Sequence, residues 1–244
     1  MQPKTSYTRT PIVEALLDIQ IETPLGVSLD SLLKCQRSIR KDYPSRREAQ
    51  NHTGHLLFGE KVSATAVSES VGSVFASHDG KRLFQAKKTG FTFNQLTPYP
   101  GWNGFISEAK RLWSEYRKVV SPSGYTRVAL RYINRFDFPE PMLNLETYFR
   151  TYPEISRDLP QVIEGFFFQF QLPVGEADTI ATVTQTLIEP LSENHSSIML
   201  DIDVYRTCVT TDEGELWRFL ETLRSWKNKV FEASITNKTR EMLL

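Results

Sequence analysis

Cysteine is scarce here: Cys35 and Cys208 are the two in 244 residues, and they make no metal-ligand spacing. We expect them reduced and structural, and assign them no chemistry. Net charge is absent too, because 29 Lys and Arg balance 29 Asp and Glu, so no whole-molecule field draws the chain to nucleic acid or an anionic membrane. Any polyanion site has to be local. The chain has neither a Gly-rich phosphate loop nor a dinucleotide fingerprint, and no Gly-x-Ser-x-Gly elbow marks a nucleophile. Long apolar runs are missing, and the opening MQPKTSYTRTP lacks the apolar stretch of an export signal. The expectation is a cytoplasmic chain with no membrane span and no cofactor.

What is present is material for a core, 40% hydrophobic and 11% aromatic residues. From Ile12 to Glu22, Val13, Ala15, Leu17, Ile19 and Ile21 alternate with Glu14, Leu16, Asp18, Gln20 and Glu22, the period of a half-buried strand. Ser28 can cap a helix carrying Leu29, Leu32, Leu33 and Ile39, ending before Pro44. Four strand-like runs follow, 55–62, 65–76, 82–87 and 91–96, and read as an antiparallel meander. An amphipathic helix is expected over 102–120, with Phe105, Ala109, Leu112, Tyr116 and Val119 on one stripe. The order then begins again: a strand at 125–138, a short helix at 143–152, strands at 164–172, 179–188 and 197–206, and a helix over about 211–231.

The fold class expected is therefore α+β. Two pseudo-repeated β-α-β(3-4)-α halves, 1–122 and 123–244, would pack curved antiparallel sheet on long helices, probed by the weak echo between ETPLGVSLDSLL and FPEPMLNLETYF. This order resembles duplicated TATA-binding-protein-like and helix-grip folds, a likeness of shape that carries no function. PIVEALLDIQIE, RYINRFDFP, LDIDVYR and FEASITNKTREML, spread along the chain, also resemble a sporadically distributed, uncharacterised bacterial family of about this length. That resemblance supplies no catalytic residue; sporadic distribution suits an accessory role, such as a defence-linked or toxin-linked module.

One charged surface stands out. In LRYINRFDFP, Leu130, Tyr132, Phe136 and Phe138 can pack inward with Asn134 interrupting them, which sends Arg131, Ile133, Arg135 and Asp137 to the other face. In SIMLDIDVYR, Ile198, Leu200, Ile202 and Val204 face in, while Met199, Asp201, Asp203 and Tyr205 face out. Complementary charges at period two predict neighbouring strands, with Arg131 or Arg135 across from Asp201 or Asp203. The plain reading is a solvated face that holds its register by charge pairing. The functional reading makes Arg131, Arg135, Asp137, Asp201, Asp203 and Tyr205 a ligand or peptide site, because an arginine fork suits a carboxylate or phosphate. Glu14, Asp18 and Glu22 would give the other half an acidic counterpart.

Weaker candidates complete the reading. Lys34, Arg37, Lys41, Arg46 and Arg47 form a local basic bias able to neutralise phosphates, with Lys34, Arg37 and Lys41 expected on one helix face opposite the apolar stripe. His52 and His55 have a chelating spacing without further ligands, so no metal is expected. His78 and His195 fall in turns, and the four tryptophans read as core or groove-lining bulk. The leading expectation is a non-enzymatic binding or interaction module for a protein partner or small anionic ligand. A nucleotide or phosphate-ligand enzyme is the alternative, and nucleic-acid binding is less favoured. Sheet edges and the terminal Met-Leu-Leu add a homodimer.

Overall fold

The alternation that begins at Ile12 becomes strand β1 (Ile12–Ile21), in which Ala15, Leu17, Ile19 and Ile21 are buried. The computed structural model describes residues 7–57, 63–175 and 178–244, with the side chains at 52–57, 63–68, 208 and 209 outside that description. The spacing at His52 and His55 and the side chain of Cys208 therefore lie outside the described residues. The architecture is α+β. Strands β2 (Ser45–Leu57), β3 (Ser63–Ala76), β4 (Arg82–Lys87) and β5 (Gly90–Leu96) form an antiparallel meander, and residues 58–62 of the run expected at 55–62 lie outside the described residues. Strand β6 is Tyr125–Phe138, and β7 (Phe167–Pro173), β8 (Thr179–Ile188) and β9 (Ser196–Thr210) form a second antiparallel run. All belong to one nine-stranded sheet of order β2-β3-β4-β5-β1-β6-β9-β8-β7 among the described residues.

The chain divides into two compact units, one of Asp18–Gln95 with Pro100–Thr126, the other of Met1–Leu17, Leu96–Tyr99 and Arg127–Leu244. In the first, helix α1 (Leu29–Leu32) is capped by Ser28, whose side chain accepts from the Ser31 N–H, and helix α2 (Gly101–Val120) buries Phe105, Ala109, Leu112, Trp113 and Tyr116. Its core is aromatic: the rings of Phe84 and Phe91 lie 5.3 Å apart, and Phe91 meets Trp113 edge-on at 5.5 Å. Such pairs add about 1 kcal/mol each beyond area burial. Gly72 is required at the bulged β2/β3 pairing, because a Cβ there would stand 2.1 Å from the Ala86 carbonyl oxygen.

In the second unit, helix α3 (Leu145–Tyr148) is capped by Asn144 and α5 (Asn237–Leu243) by Thr236. Helix α4 (Glu213–Ser234) buries Leu216, Leu220 and Leu223, and the inward side of β9 contributes Ile198, Leu200, Ile202 and Val204. Hydrophobic burial of this kind is the main favourable term in both units.

Several expectations change. The first helix does not run to Tyr43: α1 is one turn long, a 3-10 turn occupies Leu33–Gln36, and tight turns follow. The chain tightens because Ile39 and Tyr43 are both drawn inward, and the Gln36 side-chain amide donates to the Tyr43 carbonyl at 2.8 Å. The expected 143–152 helix stops at Tyr148, since Phe149 is extended and bridges Ile235. Strand β2 starts at Ser45, in a stretch too polar to show alternation, and α5 was not foreseen. Asp18 is no part of an exposed acidic face; it is buried, accepting from Thr92 Oγ1 at 2.7 Å with Lys87 Nζ at 3.5 Å.

Candidate functional site

Strand period places Arg127, Arg131 and Arg135, spaced by four, on one face of β6, and the neighbouring β9 presents Ser197, Met199, Asp201, Asp203 and Tyr205. The predicted cross-strand pair is present. Arg131 grips Asp201 with Nε 2.9 Å from Oδ1 and Nη2 2.5 Å from Oδ2, a two-point fork that holds the guanidinium's pKa above its ordinary value. Asp201 is buried, while the Arg131 side chain is 44% exposed. Arg127 reaches Asp203 at 3.3 Å and lies 4.5 Å over the Tyr205 ring, a cation–π contact.

Arg135 does not face either β9 aspartate. It turns along its own strand to Asp137, with Nε 3.0 Å from Oδ1, and also donates to the Glu189 carbonyl at 2.9 Å and Ser197 Oγ at 3.0 Å. Ser197 in turn donates to Asp137. Burial would raise the Asp137 pKa, but the bonds from Arg135 and Ser197 outweigh it and hold the carboxyl below its usual range.

The polar rows continue outward. Thr184 stands opposite Asp201 and Thr182 opposite Asp203, and across the next strand Gln169 donates to Thr184 Oγ1 at 2.8 Å and Gln171 to Thr182 Oγ1 at 3.3 Å. Arg131, Asp201, Thr184 and Gln169 thus make one transverse row over four strands, and Arg127, Asp203, Thr182 and Gln171 a second. The sequence reading named Arg131, Arg135, Asp137, Asp201, Asp203 and Tyr205 on this face but not Arg127, the threonines or the glutamines. The signal was in the text: Thr182, Thr184 and Thr186 alternate in ATVTQT, as do Gln169 and Gln171 in FQFQL.

A second cluster lies against the inward side of β6, on Tyr132. The Lys227 ammonium of α4 sits 3.8 Å from the centroid of that ring, and the Tyr132 hydroxyl meets the Tyr99 hydroxyl at 2.9 Å. Lys227 is half-buried. Loss of water around it, then the nearby positive Arg224, push its pKa down to about 7, while the ring face beneath favours the charged form. No periodicity marks this group, because it forms only when a helix is laid on a strand.

The basic candidates are not brought together as a helix face. Lys34, Arg37 and Lys41 are exposed along turns, Arg46 and Arg47 are exposed on β2, and Asp42 among them pairs with Arg111 at 3.4 Å. His78 Nε2 bonds to the Lys41 carbonyl, and His195 Nδ1 to Ser192 Oγ and the Glu193 carbonyl. Among the described residues, no three His, Cys, Asp or Glu gather in a group able to hold a metal ion. No helix among them is long and apolar enough to cross a membrane. No family model and no curated protein matches the chain.

Proposed function

We propose that the chain is a binding or interaction module, non-enzymatic and cytoplasmic, whose recognition surface is the polar face of β6, β9, β8 and β7. The observation that supports this reading is the internal pairing of its charges: Arg131 with Asp201, Arg127 with Asp203, Arg135 with Asp137. An arginine already forked onto a carboxylate must surrender it before it can grip a phosphate, which weakens the nucleotide-enzyme reading. A rigid surface of alternating sign and hydroxyl groups suits instead a protein partner with a complementary mixed surface. The two-fold pseudo-repeat and membership of the sporadic bacterial family belong to the same proposal, with an accessory role following from them. Nucleic-acid binding through Lys34, Arg37, Lys41, Arg46 and Arg47 is set aside, because these side chains are spread over turns and a strand.

The test is affinity capture with the intact chain and with an Ile133→Glu, Met199→Glu variant, which alters the face without breaking its ion pairs. A partner held by the first and lost by the second is the expected result. Turnover of a nucleotide or phosphoester that disappears in Arg131→Ala would favour the enzyme instead.

A further inference from the structure

Beyond that face, the last strand of the sheet presents a second surface. β7 is bonded on one side to β8 and stands at the end of the strand order. Among the described residues no strand pairs with its other side, and along it Phe167 is 70% and Leu172 43% exposed, with Gln169 and Gln171 exposed as well. From Phe166 to Leu172 the chain reads FFFQFQL, with no charged residue. An uncharged, aromatic edge is one that soluble proteins normally blunt with lysine, a bulge or a covering element, because its open amides and carbonyls template strand addition. Pro173 closes the strand, at an end where a missing N–H is tolerated.

The sequence of this edge also fits itself. Read outward from Phe170, the strand is Gln169 and Phe168 in one direction and Gln171 and Leu172 in the other, a near-palindrome. An antiparallel pairing of two copies about a two-fold axis through Phe170 sets Phe170 against Phe170, Gln169 against Gln171, and Phe168 against Leu172. Like meets like from Phe168 to Leu172. Phe168, Phe170 and Leu172 lie on the side of Gln185, Val183 and Ala181, whereas Gln169 and Gln171 lie on the side of Thr184 and Thr182. The two-fold therefore joins apolar side to apolar side and continues both threonine–glutamine rows into the second copy. Two-fold symmetry of this isologous kind is the commonest solution for homo-oligomers.

We propose that β7 is a homodimerisation edge, and that two copies pair antiparallel about Phe170 to make one continuous polar face from both chains.

Sedimentation velocity on the full chain at micromolar concentration, with two double variants, tests this. Gln169 and Gln171 are exposed, so changing them leaves the core intact. Gln169→Lys with Gln171→Lys places lysine against lysine twice in the paired register, and Gln169→Glu with Gln171→Lys places glutamate against lysine twice. The expected results are a dimer for the unmodified chain, a monomer for the lysine pair and a dimer again for the mixed pair. A monomeric unmodified chain overturns the proposal, as does a lysine pair that stays dimeric. A monomeric mixed pair overturns the Phe170 register, since a two-fold through Gln169 would set Glu against Glu. A monomer that instead takes up an extended peptide along β7 assigns the edge to a different partner and equally overturns it.

Discussion

The two ends of the sheet are built differently. β2, at one end, carries Arg46, Arg47 and Glu48 in succession, all exposed, and its pairing with β3 shifts register between Ala49 and Gln50. β7, at the other, carries phenylalanine, glutamine and leucine with neither charge nor shift. Charge and a bulge are the means by which an edge strand avoids pairing with another chain. One end thus carries charge and a bulge, and the other carries neither. That difference in charge and register is the reason β7, and not β2, is the edge proposed to pair with a second copy.

The largest effect expected is loss of the dimer on placing lysine at both 169 and 171. Next comes Arg131→Ala, which leaves the buried Asp201 carboxylate without its fork. It should destabilise the unit that bears β7 by about 2 kcal/mol in urea unfolding, below the range for a fully buried pair because Arg131 is partly exposed. Asp201→Asn should cost less, since the amide oxygen still accepts from Arg131. If both changes are silent, the rows that support β7 contribute nothing to its order.

A smaller effect belongs to Lys227 in the same unit. Its folded pKa of about 7 lies below the ordinary 10.5, so between these values the unfolded chain binds more protons and stability rises with pH. Below about pH 7 the penalty of burying the ammonium is fully present. Lys227→Met should therefore flatten the rise between pH 7 and 10.5 and leave the chain more stable at neutral pH, as thermal unfolding across that window will record. The smallest effect is at the β2 end: Arg46→Gln, Arg47→Gln and Glu48→Gln together should leave the sedimentation of the dimer unchanged. New concentration-dependent assembly there would show that charge alone, without the bulge, holds β2 apart.

How much of this was legible in the sequence follows from what is local. The limits of the strands at 82–87, 125–138 and 179–188 agree with the sequence reading, because each has clear alternation and a turn at either end. The Arg131–Asp201 pair was legible for the same reason: period two fixes the face, and opposite charge fixes the neighbour. Arg135 was placed on the right face, but which of the two arginines would meet a β9 aspartate was open, because Asp137, two residues along its own strand, competes for Arg135. Asp18 escaped because strand period assigns a face but cannot say that Thr92 and Lys87 will close over it. The one-turn α1 shows capping chemistry correctly placing a start while tertiary burial of Ile39 and Tyr43 decided the stop. The edge at β7 was invisible in principle, since FFFQFQL reads equally well as a central strand until the strand order is known.

Amide hydrogen exchange through β7 as the protein is diluted tests the central claim most directly. Pairing about Phe170 predicts that the amides of Phe167, Gln169 and Gln171, which alternate with those bonded to β8, are protected at high concentration, lose that protection on dilution and lose it at every concentration in the double-lysine variant. β8 and β9 stay protected throughout, and β2 exchanges independently of concentration. Exchange through β7 that is equally fast at all concentrations would contradict the account.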